Sequence, residues 1–209
     1  VLALRNVGLL RLAHPTHRMP DNLPEIGRVG GQPERCHDQA FDIRWTRHGD
    51  LRIAADNDRI AVLNCHTGSL LRSFGQNGDG NGEFKFGFSF LCIEDEELFV
   101  SDHSNHRIQV FDRNGKFLRT YGRAGSNPGE FSYPYDVRVD SAGHQFVCEF
   151  GNSRITVLDA HDRVLETIGE SGPGPGKFAN PWAIALDSHG NLYVADSQNH
   201  RVQKLVRKY

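Results

Sequence analysis

The sequence predicts an all-β protein, a β-propeller built from four-stranded antiparallel blades. Glycine and phenylalanine each recur at a step of 47 residues, at Gly75, Gly122 and Gly169 and at Phe84, Phe131 and Phe178. Self-similarity at a fixed step of this length indicates a repeat array. Short β-rich runs separated by turn residues fill each step, and no segment has a sustained helical period of apolar residues.

The third repeat shows the four strands of one unit in order. From Tyr133 it contains the runs YDVRVD, HQFVCE, RITVLD and RVLETIG, separated by the turn clusters SAG, FGNS and AHD. The same order is found in the second repeat as FSFLCI, LFVSD, RIQVFD and FLRTYG, in the first as FDIRW, LRIAAD, RIAVLN and LLRSFG, and in the fourth as WAIALD, LYVAD and RVQKLV. Sheets that are apolar on both faces must cover one another, and radial stacking achieves this.

These strands also carry a family resemblance. The strings YVADSQNHRVQKL, FVSDHSNHRIQVFDRNGKFLRTYG and NPWAIALDSHGNLYVAD resemble NHL repeats, and the resemblance extends from about Ala40 to Tyr209. The first repeat departs from the pattern with a shortened loop at 56–59, and the third has Glu149 and Asn152-Ser153 where the others have Asp and Asn-His. The resemblance implies a six-bladed propeller. Four repeats then form an open arc or part of a six-bladed ring, rather than a closed four-bladed ring.

The repeat positions predict the domain boundaries. Residues 1–21 form a poorly defined extension, and 22–209 form the propeller, with an outer strand at about 20–27 and blades at about 40–76, 87–123, 134–170 and 181–209. The last blade stops after its third strand, whereas Ile26-Gly27 resembles the end of an outer strand. In propellers such an exchange latches the first and last blades together and removes open sheet edges.

Composition excludes several classes of partner. The formal net charge is −2, from 24 basic and 26 acidic residues, so no overall field attracts nucleic acid or anionic lipid. The four cysteines show no C-x-x-C spacing, which argues against a disulfide framework or a zinc site. Arg5 and Arg11 interrupt the apolar start of the chain, so we expect neither a secretion signal nor a membrane span. The expected protein is soluble and cytoplasmic, with no membrane or DNA partner.

Two recurrent polar columns have both structural and functional interpretations. Asp102, Glu149 and Asp196 each precede an arginine by five residues. They could form an acidic ring, but occurrence in every unit favours capping of turn amides and pairing with that arginine. His106 and His200 are predicted to be turn residues, because two blades separate them and metal ligands must converge. We expect no metal, no cofactor and no catalytic residue.

The candidate ligand-binding residues lie where each innermost strand begins, at one mouth of the axial channel. One aromatic residue per blade occupies this position, at Phe41, Phe88, Tyr135 and Trp182. The column serves either ligand binding or packing between blades. Just after it, the first and third blades carry charged pairs, Asp42 with Arg44 and Asp136 with Arg138. The second and fourth blades carry uncharged residues at the corresponding positions, Ser89 with Leu91 and Ala183 with Ala185. Such charges either form ion pairs between blades or face a ligand.

These features predict a non-catalytic interaction platform that binds a protein or peptide at the channel mouth. RNA binding is one alternative, because some NHL domains bind single-stranded RNA and six arginines could cluster, at positions Arg28, Arg44, Arg72, Arg119, Arg123 and Arg138. A lyase-like propeller enzyme, or a fragment of one, is the other. That chemistry needs several histidines or carboxylates that converge from different inner strands, and these strands contain four aspartates but no histidine, at Asp42, Asp136, Asp140 and Asp187.

Overall fold

The computed structural model describes residues 42–45, 50–55, 58–64, 69–85, 91–94 and 96–206, with side chains from residue 58 onward. The predicted extension at 1–21, the outer strand at 20–27, and Phe41 and Phe88 lie outside these residues. For Asp42 and Arg44 only the backbone is described.

The described residues form four antiparallel sheets, each a meander in chain order. Blade 1 contains β1 (Asp42–Trp45), β2 (Asp50–Ala55), β3 (Arg59–Asn64) and β4 (Leu70–Phe74). Blade 2 contains β5 (Leu91–Glu94), β6 (Glu97–Asp102), β7 (Arg107–Asp112) and β8 (Phe117–Tyr121). Blade 3 contains β9 (Pro134–Val139), β10 (Gln145–Glu149), β11 (Arg154–Leu158) and β12 (Val164–Ile168). Blade 4 contains β13 (Ala183–Leu186), β14 (Leu192–Asp196) and β15 (Arg201–Leu205).

The first strand of every blade is the innermost one. Strand β1 contacts β5, β5 contacts β9, and β9 contacts β13, so the first strands follow one another around an axis. The fourth strands lie outermost and carry exposed leucines, at Leu70, Leu118 and Leu165. Within the described part of the chain the sheets do not close into a ring, which fits a partial propeller. The predicted propeller fold is confirmed.

Among the residues whose side chains are described, the hydrophobic core consists of three clusters, one between each pair of successive blades. Ile60 and Phe84 meet Leu91 and Phe111 between blades 1 and 2. The equivalent cluster between blades 2 and 3 contains Ile108, Val110, Phe131, Val137 and Val147, and the one between blades 3 and 4 contains Ile155, Val157, Phe178, Ile184 and Val194. Each buried apolar side chain contributes about 1.5–3 kcal/mol, so the stacking of blades is the main source of stability.

A glycine and a phenylalanine build each junction between blades. Gly75, Gly122 and Gly169 end the outer strands with φ of 93°, 91° and 89°. A Cβ at Gly122 would lie 2.3 Å from the ring of Phe131, which is fully buried. The recurrence of both residues therefore has a steric cause, because the phenylalanine occupies the space that a side chain at the glycine would need.

The strict 47-residue step fails in the inner strand of blade 2. Equivalent positions are identified by the pairs Leu91 with Val100, Val137 with Val147, and Ile184 with Val194. Leu91 therefore corresponds to Val137, one residue away from the position that a 47-residue step assigns to it. The β5–β6 hairpin is correspondingly tight, with Glu94 paired to Glu97.

This displacement corrects one sequence prediction. Leu91 was expected to be the counterpart of Arg138, but Arg138 pairs with Phe146 and the matching pair in blade 2 is Cys92 with Phe99. The counterpart of Arg138 is therefore Cys92. The repeat length hides this change, because one additional residue before β5 is compensated by one fewer residue after it.

Candidate binding face

The starts of the inner strands share one face of the arc with the turns that follow the second strands. Antiparallel pairing places the end of β10 beside the start of β9. The backbone N–H of Phe150 donates to the carbonyl of Tyr133 at 3.0 Å, and that of Gly151 donates to the carbonyl of Ser132 at 2.9 Å. In blade 4 the N–H of Gln198 donates to the carbonyl of Ala179 at 3.1 Å. We call this surface the binding face.

A buried carboxylate organises this face in each of blades 2 to 4. Asp196 accepts hydrogen bonds from the Ala179 N–H at 2.7 Å and from Arg201 Nε at 2.8 Å, and it also binds Asn199 and Gln203. Asp102 and Glu149 bind the arginines five residues later in the same way, at 2.8 and 2.7 Å. The predicted pairing and capping are therefore confirmed.

These hydrogen bonds determine the ionisation of Asp196. Burial raises the pKa of this carboxyl group, but the donors from Ala179, Asn199, Arg201 and Gln203 favour the charged form. The pKa of Asp196 lies below its usual value as a result. A carboxylate held this firmly in place is suited to fixing the loops of the face.

The two repeated histidines occupy turns, as predicted. His106 and His200 have φ of 56° and 51°, and Ser153 at the equivalent position of blade 3 has φ of 50°. Among the residues that the structure describes, no group of three or more His, Cys, Asp or Glu side chains is arranged to hold a metal ion.

Four aromatic side chains form a continuous row across blades 2, 3 and 4 of the binding face. We call His103, Tyr135, Phe150 and Trp182 the aromatic row. The His103 ring meets Tyr135 edge-on, with centroids 5.3 Å apart. Tyr135 stacks on Phe150 at 4.5 Å with an interplanar angle of 26°, and Trp182 meets both of these rings edge-on, at 5.1 and 6.0 Å.

The structure thus brings together the two described members of the predicted aromatic column, Tyr135 and Trp182. Trp182 is 44% exposed, and Tyr135 and Phe150 are half-buried. Burial, followed by the proximity of Tyr133, raises the pKa of Tyr135. The row therefore packs between blades and also presents aromatic surface to solvent. Phe41 and Phe88 lie outside the described residues, and their place in this column stays a prediction.

Sequence reasoning missed Phe150 and His103. Each is the first residue after a second strand, and a 47-residue step separates them. The 47-residue spacing in the sequence therefore marks the two residues as equivalent positions. The signal was weak as a residue type, because the equivalent residue in blade 4 is Ser197.

Tyr133 was also missed, and its backbone is unusual. Its φ is 48°, in the left-handed region, and its side chain is 43% exposed. For a bulky residue this conformation costs about 1–3 kcal/mol. The ring packs on His106 with centroids 4.6 Å apart, and the Tyr133 N–H donates to His106 Nδ1 at 3.2 Å.

Asp136 and Arg138 connect three blades. Their side chains form an ion pair at 2.8 Å, and Asp136 is fully buried. Asp136 accepts a hydrogen bond from the backbone N–H of Ile184 in blade 4 at 2.9 Å, and Arg138 donates to the carbonyl of Leu91 in blade 2 at 3.3 Å. The predicted ion pair between blades is not what the structure shows, because both charges lie on β9 and only hydrogen bonds with backbone groups reach the neighbouring blades. A role of Asp136 and Arg138 in ligand binding stays a prediction. For Asp42 and Arg44 both roles stay predictions.

The candidate arginines do not form a basic cluster in the described part of the chain. Arg119 binds Glu97 and Asp162 at 2.6 and 2.9 Å, and these partners raise its pKa. Arg123 pairs with Glu130 at 3.0 Å, and Arg72 donates to the carbonyl of Arg113 at 2.7 Å. Arg28 and the side chain of Arg44 lie outside the part of the chain that the structure describes.

Comparison with known proteins agrees with the geometry. Residues 178–205 match the model of the NHL repeat, and residues 80–166 match a model described as a 6-bladed beta-propeller. No curated protein is similar enough in sequence to count as a match. Among the described residues, no helix is long and apolar enough to cross a membrane.

Solved structures of propellers superpose on the chain. One is a catalytically inactive variant of virginiamycin B lyase from Staphylococcus aureus with quinupristin, at 18% identity and a TM-score of 0.59, covering 79% of this chain and 51% of the lyase. A streptogramin B lyase is 17% identical, with a TM-score of 0.60, and the match covers 79% of this chain and 50% of that lyase. The WD40 propeller domain of Doa1 is 15% identical, with a TM-score of 0.59, and the match covers 80% of this chain and 51% of that structure. The chain spans about half the length of these structures.

Fold and site together define a β-propeller arc with an aromatic face. The chain is a β-propeller protein that carries an NHL repeat.

Proposed function

We propose that this propeller is a non-catalytic platform that binds a protein or peptide at the aromatic row. The observation that carries the proposal is the exposed Trp182 ring, which packs edge-on against Tyr135 and Phe150. Large rigid aromatic side chains supply much contact area at low entropic cost, and binding hot spots are enriched in them. Loops held on a rigid scaffold are where propellers carry such sites.

The charges favour a peptide over RNA. Phosphate binding requires basic side chains that remain available to the ligand. The arginines that pair with the carboxylates of the binding face also donate to the carbonyls of the junctions, and they are Arg107, Arg154 and Arg201. Stacking rings favour RNA as the second candidate, because bases also stack on aromatic side chains.

The absence of catalysis is part of the proposal. Two of the similar structures are lyases, and at 15–18% identity the similarity concerns the fold alone. The buried inner-strand carboxylate Asp136 is engaged by Arg138 and Ile184, which supports a structural role for it. A cytoplasmic location is part of the same proposal and rests on the sequence.

Replacement of Trp182 tests the platform. Peptides selected from a random library on the intact chain should bind Trp182→Ala about 10- to 100-fold more weakly, since hot-spot truncation costs about 1–3 kcal/mol. Leu165→Ala is the matched control, because Leu165 is 55% exposed on the outer strand β12, away from the row. Equal affinity of both variants would contradict the proposal. A steep loss of affinity with salt for single-stranded RNA would favour the RNA alternative instead.

A further inference from the structure

Tyr133 occupies a position where the fold demands a left-handed backbone. The equivalent residue in blade 4 is Asn180, with φ of 47° against 48° for Tyr133. Asparagine adopts this conformation readily, whereas tyrosine does not. Asn180 also donates its side-chain amide to the carbonyl of Phe150 at 3.0 Å. Blade 3 therefore carries the less favourable residue at a site where the repeat itself can use a better one.

The unfavourable residue places an aromatic ring on the binding face. The Tyr133 ring lies on His106 and remains 43% exposed, two residues before Tyr135 in the aromatic row. Backbone strain that persists at an exposed aromatic side chain is a physical reason to infer a function for that side chain.

The polar groups of Tyr133, Tyr135 and Trp182 bear on the choice of ligand. The hydroxyls of Tyr133 and Tyr135 and the Nε1 of Trp182 make no hydrogen bond within the part of the chain that the structure describes. Indole Nε1 is a donor only, and a phenol hydroxyl is a donor or an acceptor. The carboxylates of this face, in contrast, are buried and already bound. The face offers aromatic surface and hydrogen-bond donors.

A proline-rich segment has the complementary chemistry. In the polyproline II conformation the backbone carbonyls have no internal partner, and each proline lacks an N–H, so the segment is rich in acceptors. Its pyrrolidine rings pack against aromatic grooves, and its conformation is set before binding, which lowers the entropic cost. Neither feature requires charge on the protein.

We propose that the binding face recognises a proline-rich segment in the polyproline II conformation, and that Tyr133 determines this specificity. The proposal rests on the peptide-binding function above and names its ligand class. Tyr133 and Trp182 supply rings and donors to the ligand, and Tyr135 with Phe150 supports them.

The decisive variant is Tyr133→Asn, which installs the residue that blade 4 uses. Its unfolding midpoint in urea should equal or exceed that of the unchanged chain, because asparagine relieves the backbone strain. Its affinity for a library of peptides with a fixed Pro-x-x-Pro core should fall at least 10-fold. Tyr133→Phe keeps the ring and removes the donor, so its affinity should fall by less. Retained affinity in Tyr133→Asn would overturn the role of Tyr133.

A random library, screened in parallel on the intact chain, separates the two proposals. Enrichment of proline in the selected peptides that bind Trp182→Ala more weakly than the unchanged chain supports the inference. Selected peptides without proline enrichment overturn the ligand class and leave the peptide platform standing. No selected peptide from either library overturns both proposals. If single-stranded RNA displaces the selected peptides and its affinity falls steeply with salt, the result overturns the peptide proposals and supports RNA binding at this face.

Discussion

At the scale of single residues, the buried carboxylates are the groups on which the loops of the binding face depend. Asp196 receives donors from the preceding junction, from its own turn and from β15. Each donor would be left without its partner if the carboxylate were lost. Desolvated groups without partners are costly, and a buried ion pair is therefore more sensitive to the loss of one member than its net contribution implies.

Asp196→Asn should destabilise the protein by about 3 kcal/mol, since it leaves Arg201 and Gln203 facing an uncharged amide. Urea unfolding at neutral pH measures the change. Glu96→Gln is the control: the Glu96 side chain is 68% exposed and pairs with Arg113, and exposed pairs contribute little. A loss in Asp196→Asn no larger than in the control would contradict the scaffold role of the carboxylate.

Stability should decrease in acid. Hydrogen bonds from the Arg163 N–H and guanidinium lower the pKa of Asp159 to about 2; at Asp187, burial raises the pKa but Asn191 and other donors lower it to about 2. Carboxyl groups with a depressed pKa in the folded state stabilise the protein above their unfolded value, about 3.9. This contribution is lost as the pH falls from about 4 towards 2. Urea unfolding across this range measures it, and a constant free energy would contradict the assignment.

At the scale of elements, the junction between blades joins an outer strand to the next inner strand through one glycine and one buried ring. Gly122 ends β8, and Phe131 is held by a parallel bridge to Ala124. The ring fills the space above the glycine and joins the core between blades 2 and 3. One junction thus fixes the direction of the chain and contributes to the core.

A pair of glycine variants separates strain from steric conflict. Gly122 and Gly129 both have positive φ, 91° and 80°, but a Cβ at Gly129 would meet nothing within 4 Å. Gly129→Ala should cost about 1 kcal/mol from backbone strain alone. Gly122→Ala should cost about 2 kcal/mol or more beyond this, because the Phe131 ring must move. Thermal unfolding compares the stability of the two variants. Equal losses of stability would show that the Phe131 ring moves aside at no cost.

The sequence predicted those features whose residue type repeats. Tyr135 and Trp182 were found because both are aromatic at one repeat position, and they meet in the structure. Phe150 was missed because the equivalent residues, His103 and Ser197, are chemically unlike it. Leu91 was misassigned because an added residue and a lost residue cancel in the repeat length. The bridge made by Asp136 depends on packing between blades, which a local pattern does not contain.

At the scale of the whole molecule, stability is distributed along the arc rather than concentrated in one centre. Two of the second strands are almost completely buried: all residues of β6 except Glu97, and every residue of β10. The outer strands face solvent along one edge, with exposed or half-buried residues throughout β12. Successive blades contact each other through separate clusters, so each blade depends mainly on its neighbours.

Amide hydrogen exchange should follow this gradient. The amides of β6 and β10 should exchange most slowly, because their opening exposes the clusters on both sides. Those of the outer strands β8 and β12 should exchange fastest among the strands of their blades. Mass spectrometry of peptic fragments measures both. Equal protection of β10 and β12 would indicate that blade 3 opens only as a single cooperative unit.

The register displacement in blade 2 has a consequence for how such proteins can be recombined. Two modules exchanged at cut points inside their inner strands would join ladders that are out of phase by one residue, and every side chain of the displaced segment would point to the opposite sheet face. Cut points at Phe84 and Phe131 avoid this, since both the added and the lost residue lie between them. The buried phenylalanines therefore delimit the unit that can be transplanted intact.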